Sequence, residues 1–209
     1  LAVTFVARIR RRSEGRLLPR ALLHRKSVRE GVAARERRDL EMHAFARGDR
    51  IRAFIVEVKK GNRGATVVLS RSHPGMLMRL FEVEVPEIEE GIVEIKGVAR
   101  EPGERSKVAV VSRDSNVDPV GACVGYRGSR VQVIVRELGG EKIDIIPWRE
   151  NSAEFVRSAL APAEVESVVV NEATRTLHVV VADEQLSLAI GRRGQNARLA
   201  AKLVGWKVD

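Results

Sequence analysis

The chain carries the same short glycine pattern twice, and this duplication constrains its architecture more than any other feature. Gly125-Tyr126-Arg127-Gly128 and Gly191-Arg192-Arg193-Gly194 lie 66 residues apart. The same offset aligns Gly139 with Gly205. Two copies are too few for a solenoid, in which several stacked repeats are needed to bury a core. The pattern therefore predicts a duplicated small domain.

Each copy lies within the same predicted order of elements: two strands, a helix, the glycine loop, a second helix and a closing strand. The predicted elements of the first copy are the strands Glu90–Val98 and Lys107–Arg113, the helices Val120–Val124 and Ser129–Leu138, and the strand Lys142–Ile146. Asp118 before Pro119 is typical of a helix N-cap followed by proline at the first helical position.

The second copy begins with an additional amphipathic helix, Ala153–Ala161. The remaining predicted elements are the strands Val165–Val170 and Thr176–Val181, a helix capped by Asp183 that runs to Ile190, the helix Gln195–Val204, and a final strand from Trp206. We expect Gly205 to end the last helix, because glycine readily adopts the left-handed conformation found there.

A glycine loop between two helices is suited to binding phosphate. The N-terminus of the following helix offers unpaired N–H groups and the positive end of the helix dipole. Glycine permits positive φ and close approach of a sugar-phosphate backbone. Arginines within and beside the loops can add charge-assisted hydrogen bonds; these are Arg127, Arg130, Arg192, Arg193 and Arg198. Bases would then lie in the apolar groove beside the loop, an arrangement for single-stranded RNA rather than a duplex.

Other interpretations of the loops are a simple helix C-cap, in which glycine only supplies positive φ, and a helix-turn-helix DNA reader. The second does not require paired glycines or a preceding hairpin. Two copies in matching contexts, each with arginine inside the loop, favour phosphate binding over an isolated cap.

The net charge of +9 is concentrated at the front of the chain. Residues 1–73 hold 19 Lys and Arg against 7 Asp and Glu, whereas the rest holds 18 against 21. A general polyanion-binding argument thus applies only to the front segment. Any nucleic-acid binding by the glycine loops must depend on local placement of cations and backbone amides.

Composition excludes several other classes of function. The four histidines are scattered without metal-ligand spacing, and no P-loop or nucleophile–base signature is present. We therefore expect no catalytic residue, metal or cofactor. The lone Cys123 fits a buried small hydrophobe in a reducing cytoplasm. No long apolar run predicts a membrane span.

The front segment is predicted to be a small β-barrel. Arg50–Val58 and Ala65–Ser70 form a hairpin pattern around Gly61-Asn62-Arg63-Gly64. Ala2–Ile9 and residues 14–19 are further strand candidates, and residues 25–47 are expected to be a solvated loop. Short basic β segments without helical periodicity are typical of an OB fold.

Longer strings resemble a known family. Leu80–Ile88, Asp118–Gly125, Gly139–Ile145 and Leu186–Ala200 resemble the bacterial NusA transcription factors, over about residues 48–209. The resemblance implies a multidomain α+β chain: an OB-fold barrel at 1–73, then two KH domains of the prokaryotic, type II topology at 74–149 and 150–209. It also implies a role in transcription elongation, pausing, termination and antitermination.

The resemblance further implies the binding residues and partners. The expected RNA-binding residues are Gly125, Tyr126, Arg127, Gly128, Arg130, Gly191, Arg192, Arg193, Gly194, Gln195, Asn196 and Arg198. The expected partners are single-stranded nascent RNA, RNA polymerase and other Nus factors, and a cytoplasmic monomer is expected. Residues 1–47 match the family poorly. Because the chain begins at Leu1, we expect a fragment that lacks the family's polymerase-binding domain. The barrel is expected to be incomplete at its N-terminus.

Two alternatives stay open from the residues. An RNA-processing enzyme would combine KH and OB modules with nuclease activity, although the chain shows no metal-binding carboxylate cluster. A ribosome-associated KH protein would bind structured rRNA. Both predict RNA binding by the same loops.

Overall fold

The structure is a computed structural model that describes the backbone of residues 5–8, 21–23, 50–61 and 64–209 and the side chains of 50–59 and 67–209. It divides into two compact units, Leu1–Leu80 and Phe81–Asp209. The predicted loop at 25–47 and the strand candidate at 14–19 lie outside the described residues.

The front unit contains a four-stranded sheet. Its strands are β1 (Phe5–Arg8), β2 (Ala21–Leu23), β3 (Arg50–Gly61) and β4 (Gly64–Ser70), in the order β1-β3-β4-β2. The predicted hairpin is confirmed, since β3 and β4 pair antiparallel from Phe54↔Ser70 to Gly61↔Gly64. Ile51, Ala53 and Leu69 form a small core between them. The described strands do not form a closed barrel.

A helix that the sequence interpretation missed follows this sheet. Helix α1 spans Pro74–Glu84, and the short helix α2 spans Pro86–Glu89. Pro74 and Pro86 are the first residues of these two helices. Proline is favoured in the first turn of a helix, where its missing N–H costs nothing. Met76, Leu77 and Phe81 are at most 2% exposed, so burial of one face stabilises α1.

The first glycine-loop module contains a three-stranded sheet with two helices inserted between its second and third strands. Its elements are β5 (Val93–Glu101), β6 (Arg105–Ser112), α3 (Pro119–Val124), α4 (Ser129–Glu137) and β7 (Lys142–Pro147). β6 pairs antiparallel with β5 and parallel with β7. Asp118 caps α3 as predicted, accepting hydrogen bonds from the N–H groups of Val120 and Gly121, each at 3.0 Å.

The second module repeats this order. Its elements are α5 (Ser152–Leu160), β8 (Ser167–Asn171), β9 (Thr176–Val180), α6 (Asp183–Ile190), α7 (Gln195–Val204) and β10 (Lys207–Val208). β9 pairs antiparallel with β8 and parallel with β10. Both modules therefore contain the order strand–strand–helix–helix–strand, and each is preceded by a helix, α2 in the first and α5 in the second.

Two local predictions need correction. Asp183 does not cap α6: the cap position is Ala182, which makes no side-chain cap hydrogen bond, and Asp183 lies in the first turn. There its carboxylate can favour the helix dipole without accepting a cap bond. The first strand begins at Val93 rather than Glu90, because Gly91 adopts φ +75° in a turn after α2.

The two modules share one hydrophobic core. Ala109 and Ile146 from the first sheet belong to the same buried cluster as Val156, Leu177 and Ala200 of the second module. Helix α7 contacts both β5 and β6. A duplicated domain has therefore become one unit, in which the second module covers apolar surface of the first.

A buried carboxylate connects three parts of the first module. Glu141 is completely buried and accepts two hydrogen bonds from the Arg100 guanidinium, both at 2.8 Å. It also accepts from the Gly103 N–H at 2.9 Å and the Ser106 hydroxyl at 2.6 Å. Four donors on one carboxylate offset much of the cost of removing its charge from water.

A second buried charge lies on β6. Lys107 is completely buried and donates to Asp144 Oδ2 at 3.1 Å, while Arg105 donates to both Asp144 oxygens. Burial lowers the pKa of Lys107, and the attraction of Asp144 opposes this shift. The pairs align because β6 and β7 run parallel with Lys107 opposite Asp144.

A third ionic group joins the modules to each other. Arg198 of α7 donates from Nε and Nη2 to the two oxygens of Glu101, at the end of β5. Gln195 donates to Glu101 at 2.9 Å and to Glu104 at 2.8 Å. The hydrogen bond from Arg198 lowers the pKa of Glu101 to about 2, although burial acts in the opposite direction.

We predict that Glu141→Ala destabilises the chain by about 3–5 kcal/mol, because the buried Arg100 guanidinium would lose both of its hydrogen bonds to this carboxylate. Urea unfolding followed by circular dichroism measures the loss. Glu150→Gln is the control, since Glu150 is exposed and its replacement should change stability by less than about 0.5 kcal/mol. An equal effect of both variants would contradict the assigned role of Glu141.

Glu101→Gln should destabilise the chain by about 1–2 kcal/mol at pH 7, a value discounted for solvent screening of the partly exposed Arg198. The folded-state pKa of Glu101 is depressed from 4.5 to about 2. The ionised carboxylate therefore contributes its full share of the free energy of unfolding above pH 4.5, and this contribution disappears as the pH falls through 2. The stability difference between wild type and variant should therefore shrink over this window. Urea unfolding at stepped pH tests this, and a difference independent of pH would contradict it.

Candidate nucleic-acid interface

The first glycine loop is a tight turn between α3 and α4. Gly125 adopts φ 73° and ψ 172°, and Tyr126–Gly128 form a single 3-10 turn. Arg127 lies at φ 50° and Gly128 at φ 78°, both in the left-handed region. The Gly128 N–H donates to the Gly125 carbonyl at 3.0 Å, which closes the turn.

The second loop reproduces this backbone closely. Gly191 again adopts φ 73° and ψ 172°, followed by Arg193 at φ 54° and Gly194 at φ 72°. The Gly194 N–H donates to the Gly191 carbonyl at 3.1 Å. Two segments of different sequence thus share one conformation, as the duplication predicts.

All four loop glycines have positive φ, and the first glycine of each loop is also under a steric constraint. A Cβ on Gly125 would lie 2.7 Å from Arg130 Cγ, and one on Gly191 would lie 2.7 Å from Asn196 Cβ. The first glycine is therefore needed because the loop packs directly against the next helix. A Cβ on Gly128 or Gly194 would have no neighbour closer than 3.8 Å. There positive φ is the constraint.

The arginines inside the loops are available to a ligand. Arg127, Arg192 and Arg193 are exposed. Within the described part of the chain, none of the three forms an ion pair with a carboxylate. They lie beside the N-termini of α4 and α7, where the helix dipole and free N–H groups favour an anion. Each loop therefore combines exposed cationic side chains with a backbone that favours an anion.

Arg130, which the sequence placed on the phosphate track, is held by protein groups. Its Nη1 donates to Glu87 Oε2 at 2.8 Å and to the Ala122 carbonyl at 2.6 Å. Burial raises the pKa of Glu87, but a backbone hydrogen bond and Arg130 outweigh this and leave the pKa below its ordinary value. Arg130 thus ties the start of α4 to the end of α3 and to α2.

Arg198 and Gln195 have a similar placement in the second loop. Besides its bonds to Glu101, Arg198 donates from Nη1 to the Arg193 carbonyl at 3.1 Å. Arg198 therefore connects the second loop directly to the end of β5 in the first module. Because their described bonds go to protein groups, these two side chains fix the position of the loop.

Asn196 requires a correction. It was predicted to contact RNA, but its side chain is 2% exposed and lies beneath the loop. Its amide donates to the carbonyls of Leu160, Leu188 and Ala189 at 2.9–3.3 Å. Asn196 joins the ends of α5 and α6 to the start of α7, so it supports the loop from inside.

Exposed apolar side chains border the second loop. Leu186 is 49% exposed and Ile190 is 44% exposed, both on α6 immediately before Gly191. Residues four apart lie on the same face of a helix, so the two form one apolar strip. An apolar groove beside the loop was predicted from the sequence, but Leu186 and Ile190 were not predicted to form it. The signal was two apolar residues at helical spacing directly ahead of the loop.

Two kinds of reactive group can be checked among the described residues, the cysteine thiol and clusters of metal ligands. Cys123 is completely buried, and burial raises the pKa of its thiol to about 12, so it is not a thiolate nucleophile. Among the described residues no group of three or more His, Cys, Asp or Glu side chains is placed to hold a metal ion. None of the described helices is long and apolar enough to cross a membrane.

Comparison with known proteins identifies both modules separately. Residues 71–148 match the model of the NusA-like first KH domain, and residues 152–209 match that of the NusA-like second KH domain. A solved structure described as the crystal structure of APE1850 aligns with 64% of this chain and 93% of its own, at 19% identity and a TM-score of 0.47. That similarity is too weak to support an argument.

Curated relatives are much more similar. The transcription termination/antitermination protein NusA of Halalkalibacterium halodurans is 59% identical over 166 residues, covering 79% of this chain and 44% of its own length. The protein of the same name from Bacillus subtilis strain 168 is 59% identical over 161 residues, covering 77% and 43%. The chain thus spans less than half the length of these relatives. The two consecutive KH matches and this identity show that the chain belongs to the NusA family.

Proposed function

We propose that this chain is the RNA-binding region of a NusA-like transcription elongation factor that holds single-stranded nascent RNA. The observation that carries the proposal is the pair of glycine loops with the same backbone conformation, both within one unit with a shared core. Each presents exposed arginine beside a helix N-terminus. The apolar strip of Leu186 and Ile190 supplies a surface for bases next to the second loop.

We assign direct contacts with RNA to fewer residues than the twelve expected from the sequence. Gly125, Arg127 and Gly128 would bind phosphate in the first loop, and Gly191, Arg192, Arg193 and Gly194 in the second. Arg130, Gln195, Asn196 and Arg198 act as positioning residues, because their described hydrogen bonds go to protein groups. Holding the loops rigid reduces the entropy lost when RNA binds.

The wider role rests on the family. We propose that binding of the transcript modulates pausing, termination and antitermination, alongside RNA polymerase and other Nus factors, in the cytoplasm. The action is binding rather than catalysis. We further propose that residues 1–73 form an OB-fold barrel, supported by the β3–β4 hairpin and its small core. The excess of cations in this segment would add attraction for RNA that does not depend on sequence.

We predict that the double variant Gly128→Asp, Gly194→Asp weakens binding of a short single-stranded RNA by at least about tenfold, because it places a carboxylate beside each phosphate site. Gly128 and Gly194 are chosen because both have room for a Cβ, unlike Gly125 and Gly191. Fluorescence anisotropy with labelled RNA measures the affinity.

The matched control is Gly128→Asn, Gly194→Asn, which imposes the same backbone strain and nearly the same shape without the charge. It should retain most of the affinity. Equal affinity of the Asp variant and wild type would overturn the proposed function. Preference of wild type for a hairpin over a single strand, or cleavage of the RNA, would instead favour a ribosome-associated or RNA-processing protein.

A further inference from the structure

Tyr126 is an unusual side chain to leave in solvent. It is the only tyrosine of the chain and is 78% exposed. In the part of the chain with described side chains, every other exposed large hydrophobic residue is Val, Leu or Ile. A single exposed apolar side chain carries no functional meaning by itself. Tyr126 is different because it lies in the first glycine loop, where a ligand would bind.

The two loops allow a direct comparison at this position. Gly125 and Gly191 have the same φ and ψ, so the residue that follows leaves the loop from the same backbone in both modules. The first module has the planar ring of Tyr126 there, and the second has the guanidinium of Arg192. The loops therefore offer a ligand the same amides but different side-chain chemistry.

The neighbouring arginine orients the tyrosine. The Arg127 guanidinium carbon lies 5.1 Å from the centre of the Tyr126 ring, within the range of a cation–π interaction. One face of the ring is thereby covered by a cation that can also contact a phosphate. The ring is 78% exposed, so its opposite face can accept the flat surface of a base.

We propose that Tyr126 stacks on a base of the bound single-stranded RNA, so that the first loop contacts a base in addition to phosphate, whereas the second loop, with Arg192 at the same position, contacts phosphate. This inference rests on the proposed function and assigns one part of it. All four bases have a π-face, so the contact fixes the position of a nucleotide more than its identity. The two loops then share the phosphate contact and differ in the base contact that Tyr126 adds to the first.

The experiment measures binding of the full chain to a set of short single-stranded RNAs, each carrying one abasic site at a different position. Tyr126→Ala should weaken binding to the intact RNA by about tenfold, within the range of about 5-fold to 150-fold expected for one base–aromatic stack. One abasic RNA should bind wild type and Tyr126→Ala equally, because it lacks the stacked base. Tyr126→Phe should bind like wild type, because the ring and not the hydroxyl makes the contact.

Arg192→Ala is the matched control at the equivalent position of the second loop. Its loss of affinity should be similar on every abasic RNA and should shrink as salt increases, as expected of a phosphate contact. Both variants should keep the wild-type melting temperature, since both side chains are exposed.

Three results would overturn the inference. They are an unchanged affinity of Tyr126→Ala, an equal loss for Tyr126→Ala on every abasic RNA, and an equal loss for Tyr126→Phe and Tyr126→Ala. The last would assign the contact to the hydroxyl. In all three cases the proposed function stands if wild type binds the intact RNA and the Gly128→Asp, Gly194→Asp variant does not. Failure of wild type to bind any of the RNAs would overturn both.

Discussion

The candidate interface depends on close contact between each glycine loop and the first turn of the helix that follows it. Gly125 and Gly191 are so near Arg130 and Asn196 that any side chain at these glycines would collide with the helix. This contact holds the chain in a turn with positive φ and places the loop directly beside the helix N-terminus, a position that favours an anion. The favourable electrostatics of the helix end are available only because the backbone can approach so closely.

Supporting interactions around this contact differ between the modules. The first loop depends on Arg130, which bridges Glu87 and the Ala122 carbonyl. The second depends on the buried Asn196 and on Arg198, whose partner Glu101 belongs to the first module. The second loop is therefore positioned partly by its neighbour, and its geometry requires both modules to be folded together.

The attraction of the loops for an anion depends on local charge rather than on net charge. Residues 74–209 hold 18 Lys and Arg against 21 Asp and Glu, so they have no overall attraction for RNA. Many of these charges neutralise one another inside the structure, as in the Glu141, Asp144 and Glu101 groups. The exposed arginines of the loops, Arg127, Arg192 and Arg193, form no such ion pair with a carboxylate among the described residues. Binding strength would thus be concentrated at two short segments of the surface.

Several features followed from the sequence without the structure. The duplicated glycine pattern predicted two modules and both loops. Asp118 and Pro119 correctly predicted the start of α3, and Gly205 correctly predicted the end of α7. These predictions succeeded because caps and left-handed turns depend on a few neighbouring residues. Helix α1 was missed because Pro74 also fits a loop, and only burial of Met76 and Phe81 distinguishes the two.

The sequence by itself determined the loops, their arginines and the order of the elements, since each depends on local backbone preference. Only the tertiary structure decided which polar side chains of the loops stay exposed. Arg198 and Arg193 look equivalent in sequence, yet one pairs with Glu101, 97 residues away, and the other stays exposed. Asn196 is buried because three carbonyls from two other helices converge on it. Contacts between distant residues have no local signal, because folding alone brings their partners together.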